Sequence, residues 1–280
     1  MSGVAVQELE ARVGDVRLYV RVAGGVGADK ALIAINGGPG LSSHYMLSLE
    51  ALAGDELAVV TYDQRGTGRS TAPPDGYTLL DHVADVQAVR EAVGVEKVHL
   101  LGHSWGGLIS MRYATIHPQR VESITLIGSG PPDWKASHAG QARLSQRIAA
   151  LQEQGIIPQP LPSGAAQVKA ILPAYFFDPS FELPALSRET QFNATTSQRT
   201  SSALADYDFR KDVARLDHPI LMLWGEDDPF GLPMAEATLD ALSAAQVDFF
   251  LLKQCGHFWD ECPDKSLSHI RAFLRLPPSP

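Results

Sequence analysis

Six short apolar runs with helical patterns between them restrict the fold more than any other feature. They are Ala31–Ile35, Ala58–Tyr62, Val98–Leu101, Ile124–Ile127, Ile220–Trp224 and Phe249–Leu252. Each is rich in Ile, Val, Leu or aromatics and lacks polar alternation, as a strand covered on both faces of a parallel sheet must. Gln7–Val13 and Asp15–Val22 alternate instead, around a Gly14-Asp15 turn, and predict an antiparallel hairpin at one sheet edge. Asp81–Val93 sets Val83, Val86, Val89 and Val93 on one helical face, with Gly94 as a stop. Ser104–Ile116 carries Leu108, Met111 and Ile116 and ends before His117-Pro118. Pro233–Leu242 and Lys265–Leu274 complete the helices. Strands alternating with helices predict a mostly parallel, doubly wound α/β sheet.

Residues 131–217 break this rhythm. No buried strand is legible there, only helical pieces (Gln141–Gln154, Ala165–Ala174) and the loop Gly155–Gly164, which carries Pro158, Pro160 and Pro162. Structureless loops of that length are rare. The stretch is therefore expected to be an inserted helical cap over the strand ends, with residues 1–130 and 218–280 forming the core domain. The tail Pro277–Pro280 is expected to fray.

Composition excludes several roles. The chain of 280 residues carries 23 Lys+Arg and 32 Asp+Glu, a formal charge of −9, with no basic run to neutralise phosphates, so no nucleic-acid partner is expected. No apolar stretch approaches 18 residues, and Met1–Glu10 lacks a basic segment followed by an apolar one, so neither a membrane span nor a signal peptide is expected. Cys255 and Cys262 form no CxxC, so a disulfide framework is not expected and a reduced cytoplasmic setting fits. The nine histidines show no metal-ligand spacing, so no metal or other cofactor is expected.

The chemistry concentrates after the apolar runs. Gly102-His103-Ser104-Trp105-Gly106 is a G-x-S-x-G motif that follows Val98–Leu101 directly and opens a helix, the setting a nucleophilic serine needs. A serine at the apex of so tight a turn sits in strained backbone, and the helix N-terminus beneath it favours developing negative charge. Asn36-Gly37-Gly38-Pro39-Gly40 follows Ala31–Ile35, and its free amides can face an oxyanion. Gly38 N–H and Trp105 N–H form the expected oxyanion pair, with Gly37 as the alternate donor. Among the histidines, His257 follows the last apolar run and is the expected base. His103 should point away from the tight turn. An orienting acid is expected after Ile220–Trp224, where Asp228 ranks first, Asp227 second and Glu226 third. The order Ser104, Asp228, His257 is the one that α/β-hydrolases use. Pocket candidates are Trp105, Phe230, Phe258 and Trp259, together with Tyr175, Phe176, Phe177 and Phe192 from the cap.

Asn36–Gly40, Asp63-Gln64-Arg65-Gly66-Thr67-Gly68-Arg69-Ser70, Gly102–Gly107 and the surroundings of His257 together resemble the proline iminopeptidase family of α/β-hydrolases, over about residues 5–130 and 218–275. The resemblance implies an α/β-hydrolase fold with a cap. Asp63–Ser70 is its most specific segment, either a structural loop in which Asp63 and Arg65 make ion pairs or a site-shaping one. Two departures stand out. Asn36 occupies the place of the family's usual His. The resemblance also implies acids that hold the substrate's free ammonium. Here Pro229 follows Asp228, and the matching cap segment Ala194-Thr195-Thr196-Ser197-Gln198 has no carboxylate, Glu182 and Glu189 being the nearest cap acids. A buried ammonium without a carboxylate is costly. The expectation is a cofactor-independent serine hydrolase with an acyl-enzyme, acting as a carboxylesterase on small hydrophobic esters or amides. The alternatives are an aminopeptidase of the proline iminopeptidase type and a carbon–carbon bond hydrolase.

Overall fold

The computed structural model describes residues 4–25 and 30–277. The expectation for Pro277–Pro280 thus falls outside the described residues from 278 onward. Eight strands form one sheet: β1 (Val6–Val13), β2 (Val16–Ala23), β3 (Ala31–Ile35), β4 (Ala58–Tyr62), β5 (Val98–His103), β6 (Val121–Ile127), β7 (Pro219–Gly225) and β8 (Gln246–Leu252). Their order is β1-β2-β4-β3-β5-β6-β7-β8. The β1–β2 hairpin turns at Gly14, whose φ of +57° suits a residue without Cβ, and β2 runs antiparallel to β4. All other pairs are parallel.

β3 and β4 are buried at every position, as uninterrupted apolar runs require. β8 departs from expectation. It is the far edge strand, paired only with β7, and Phe250 and Leu251 are exposed on it. Period alone does not distinguish an edge run from a central one.

The helices are α1 (Leu79–Val93), α2 (Trp105–Ile116), α3 (Trp134–Glu153), α4 (Ala165–Ile171), α5 (Ala185–Arg188), α6 (Ala194–Ala203), α7 (Arg210–Val213), α8 (Leu232–Ala241) and α9 (Pro263–Phe273). A capping box of Thr78 and Asp81 starts α1, Gly94 at φ +80° ends it, and Val83, Val86 and Val89 are buried beneath it. On α2, Leu108 and Met111 are buried, whereas Ile116, expected on the same face, is exposed in the last turn. Among the described residues none of α1–α9 is long and apolar enough to cross a membrane.

Between β6 and β7 the chain adds no strand to the sheet and supplies α3 to α7. α3 begins at Trp134, earlier than periodicity suggests, because the Asp133 side chain accepts from the amide of Ala136 and caps it. The stretch 190–196 is stitched to the loops beneath it. Ser42 N–H donates to Gln191 O, Asn193 N–H to Gly40 O, and Leu41 bridges Phe192. The side chains of Asn193 and Thr196 both donate to Gly66 O.

The cysteines require a correction. Cys255 and Cys262 form a disulfide, with Cα atoms 5.9 Å apart. The short 3-10 turn Trp259–Glu261 folds the chain back, so residues seven apart meet within disulfide range. Cysteine usage therefore no longer supports a reducing compartment.

Candidate active site

Ser104 joins β5 to α2 at φ +54° and ψ −118°, outside the regions open to ordinary side chains. Its surroundings fix that conformation. Its N–H donates to Ile127 O on β6, and its carbonyl accepts from Gly107 and Gly130. A Cβ on Gly106 would lie 2.0 Å from Ile35 O, and one on Gly102 would lie 2.4 Å from Gly106 O. The glycines of the motif therefore let three backbone segments meet under the serine, and the strain at Ser104 is held by packing it cannot escape.

The three residues expected to act with one another converge. Ser104 and His257 line one cavity of about 400 Å³. His257 Nδ1 lies 2.7 Å from Asp228 Oδ2, and both side chains are buried. A carboxylate only accepts, so Nδ1 carries the hydrogen and Nε2 is left with its lone pair. The other Asp228 oxygen accepts from Phe230 N–H at 2.9 Å. The turn after β7 also separates the rivals: Asp228 is buried, Asp227 half-buried and Glu226 exposed. Phe230 and Tyr175 pack their rings on the imidazole, and His257 N–H donates to Tyr175 O.

Of the expected anion donors, Gly38 and Trp105 line the cavity. Among the described residues no hydrogen bond engages either amide. Gly37 is a correction: its N–H already donates to the Tyr45 hydroxyl, so it is not a free donor for an oxyanion. That contact belongs to a chain that sequence reasoning missed. His103 Nε2 lies 3.0 Å from the carbonyl of His257, and a carbonyl accepts, so Nε2 carries the hydrogen. Burial, aided by the neighbouring His257, pushes the His103 imidazolium well below its usual range, so the ring is neutral. Its bare Nδ1 faces the Tyr45 hydroxyl at 2.9 Å. Gly37, Tyr45, His103 and the His257 backbone thus form one relay of hydrogen bonds. His103, expected to point away from the tight turn, instead lines the cavity with Ser104, its ring 4.7 Å from that of His257.

The Asp63–Ser70 segment is both of the things it could be. Arg65 makes a two-pronged pair with Asp85, at 2.8 and 2.6 Å, in the core. Asp63 makes no such pair among the described residues, and takes Ser43 N–H and Oγ–H and Arg69 N–H instead. Gln64 reaches the site. Its Oε1 accepts from the Trp105 indole, and its Nε2 donates to Asn36 O. Asn36 in turn donates to Gly37 O and Leu41 O. The asparagine standing where the resemblance implies histidine therefore holds the loop by two bonds of its own.

The pocket candidates divide. Trp105, Phe230, Tyr175, Phe192 and Phe258 line the cavity. Trp259 does not; it is core, fully buried against Tyr45 and His103, with its indole N–H on Ser48. Phe177 is exposed on the surface. Ser197, Ser201, Gln141 and Tyr207 add neutral polar groups, and no Asp or Glu is among the described residues of the wall. Ser197 is thus a hydroxyl in the cavity where the resemblance implies an acid.

A family model described as the alpha/beta hydrolase fold matches residues 30–259. The chain is 26% identical to a proline iminopeptidase of Lactobacillus crispatus, covering 91% of this chain and 94% of that one. Among solved structures it superposes on a proline iminopeptidase of Mycobacterium smegmatis with a TM-score of 0.74, at 22% identity, covering 96% of this chain and 98% of that one. It also superposes on a 2-hydroxy-6-oxo-6-phenylhexa-2,4-dienoate hydrolase of a Rhodococcus species with a TM-score of 0.72, at 19% identity, covering 97% and 99%. At such identities the structural likeness speaks for the fold alone.

Proposed function

The chain belongs to the α/β-hydrolase fold family and is a hydrolase, and on that premise we propose that Ser104, His257 and Asp228 form its catalytic triad. Ser104 Oγ attacks the substrate carbonyl while His257 Nε2 takes its proton. Asp228 fixes the imidazole in the tautomer that leaves Nε2 free and stabilises the imidazolium that follows. The Gly38 and Trp105 amides receive the developing oxyanion at the N-terminus of α2. His257 returns the proton to the leaving group, and water then releases the acyl group by the same route. The contact between His257 Nδ1 and Asp228 Oδ2 at 2.7 Å is the observation that carries this reading. The stretch from α3 to α7, within residues 131–217, acts as the cap that closes over the site.

For the substrate, the relatives' names favour an aminopeptidase of the proline iminopeptidase type over the carboxylesterase expected from the sequence. We place that reading first, in a modified form. The cavity of about 400 Å³ suits a compact acyl group such as a prolyl residue. Ser197, Ser201, Gln141 and Tyr207 would receive its amine through neutral oxygens, so the amine binds without a buried partner charge. Such a site discriminates weakly between a free and an acylated amine. The second reading, a hydrolase of small uncharged esters, is favoured by that same lack of a carboxylate in the wall.

A prolyl arylamide and a pair of proline esters, one with a free nitrogen and one acylated, test both. The first reading expects turnover of the arylamide, with kcat/KM for the two esters within about tenfold, under 1.4 kcal/mol. Turnover of the acylated ester without the arylamide would establish the second reading. A free-amine preference above about a hundredfold would reveal an acidic anchor, with Glu182 and Glu189 as the candidates.

A further inference from the structure

Beside the cavity that holds Ser104 lies a larger one, of about 780 Å³. The two share Leu41, Tyr45, Val168, Leu172, Phe192 and Phe258 in their walls, so they adjoin along one common boundary. We propose that this second cavity is an arm of the same site and takes a long, uncharged, apolar group attached to the scissile carbonyl or to its leaving group. The inference rests on the hydrolase reading above and adds a substrate class to it: a molecule with one compact end and one extended hydrophobic end.

The wall chemistry selects that group. Its inner surface is mostly apolar, formed by residues such as Val168, Leu172, Phe176, Phe181 and Leu183, with the hydroxyls of Ser187 and Thr190 as uncharged exceptions. The charged residues of the wall lie at the rim. Glu182 and Arg188 are exposed and pair with each other at 3.2 Å, while Lys169 and Glu189 are also exposed. The rim charges therefore stay in water, and the interior holds no charge to pair with a charged ligand. Phe192 stands in the wall common to both cavities, and its neighbours are bonded to the loop that carries Gly38. Gln191 O accepts from Ser42 N–H, Asn193 N–H donates to Gly40 O, and Gln191 N–H donates to Ser42 Oγ. The arm is thus fixed relative to the anion-binding amides, and an extended group within it would be in register with the reacting carbonyl.

Each methylene moved from water into such an arm strengthens binding by up to about fourfold. A series of p-nitrophenyl alkylphosphonates from ethyl to dodecyl reads this without reference to the natural substrate. Ser104 Oγ forms the bond to phosphorus, its proton passes to His257 Nε2, and the bond from phosphorus to the aryl oxygen breaks to release p-nitrophenolate. The second-order inactivation constant should rise at least about tenfold from ethyl to octyl. Ala165→Trp at the rim and Thr190→Trp deeper in the wall should each return the octyl-to-ethyl ratio towards one, and either variant suffices. A constant that is flat or falls from ethyl to octyl would overturn the arm, as would a ratio that survives in both folded variants. Should no phosphonate label Ser104, the nucleophile assignment fails, and the arm is judged separately by fluorescence titration of N-decyl dansylamide. Its Kd should weaken at least tenfold in the blocked variants. An unchanged Kd rejects the arm.

Discussion

The two sides of the cavity are built on different principles. The sheet side carries a framework of paired polar groups: Asp228 holds His257, Tyr45 links Gly37 to His103, and Gln64 links Trp105 to Asn36. The side supplied by α3 to α7 offers aromatic rings and neutral hydroxyls, with few bonds that fix a charge. In the proposed mechanism, chemistry that requires sub-ångström placement falls to the hydrogen-bonded side. Recognition of the rest of the substrate is left to surfaces that set shape and polarity. Changes on the first side should therefore collapse the rate, and changes on the second should alter which substrate is preferred.

The largest effect is expected from Ser104→Ala, with a loss of several powers of ten in kcat and an unchanged circular-dichroism melt. His257→Ala should behave alike, and the double variant should be scarcely slower, because members of a triad fail together. Substantial activity in a folded Ser104→Ala protein would break the comparison at its root. Next in size, Asp228→Asn should lower kcat by about four powers of ten, as loss of the imidazole-orienting carboxylate does in serine proteases. Asp227→Asn should change it less than about threefold, and steady-state kinetics of the pair would expose an inverted ranking.

On the opposite side, Ser197→Glu should leave the triad untouched and alter selectivity. A carboxylate in the cavity wall should raise the ratio of kcat/KM for a free proline ester over its N-acylated partner by about tenfold, roughly 1.4 kcal/mol. No change in that ratio would mean that the amine does not visit this wall.

A last effect concerns stability and leaves the rate alone. Asp260 is buried, its Oδ2 has no partner among the described residues, and burial raises its carboxyl from 3.8 to about 6. With a folded pKa above the unfolded one, the folded state holds the proton longer. Its contribution is full below about pH 4 and is lost as pH rises through 6, up to about 3 kcal/mol. Asp260→Asn should therefore raise the melting temperature by several degrees at pH 8 and hardly at all at pH 4. Equal shifts at both values would locate the effect elsewhere than in charge burial.

What was legible in the sequence follows the same division. β3, β4, β5, β6 and β7 stand out because strands covered on both faces must be continuously apolar, and Ser104 and His257 are marked by the strands that precede them. Asp228 could be ranked ahead of Asp227 by its place before Pro229. Tyr45 leaves no such mark: it lies in a 3-10 stretch (Ser43–Leu52) outside every motif, and its role arises only when the chain folds it against Gly37 and His103. Trp259 reads as a pocket residue because an aromatic two residues past His257 looks functional in one dimension. The turn that pairs Cys255 with Cys262 directs it into the core instead. On the capping side, Phe192 could be named but not placed, since its position depends on a backbone pairing with Leu41 across 150 residues of chain.

The stitches between residues 190–196 and the loops at 40–43 and 66 bear on protein engineering. Exchange of the stretch 131–217 between relatives would ordinarily be treated as a swap of one module for another. Here the peptide groups that seat that stretch are the same ones that brace the loop carrying Gly38, and the amide of His257 is seated on Tyr175. A graft that ignores those partners inherits a new insertion together with a displaced Gly38 loop. The transplantable unit in this molecule is therefore discontinuous: the insertion, the loop 40–43, and Gly66 with its neighbours.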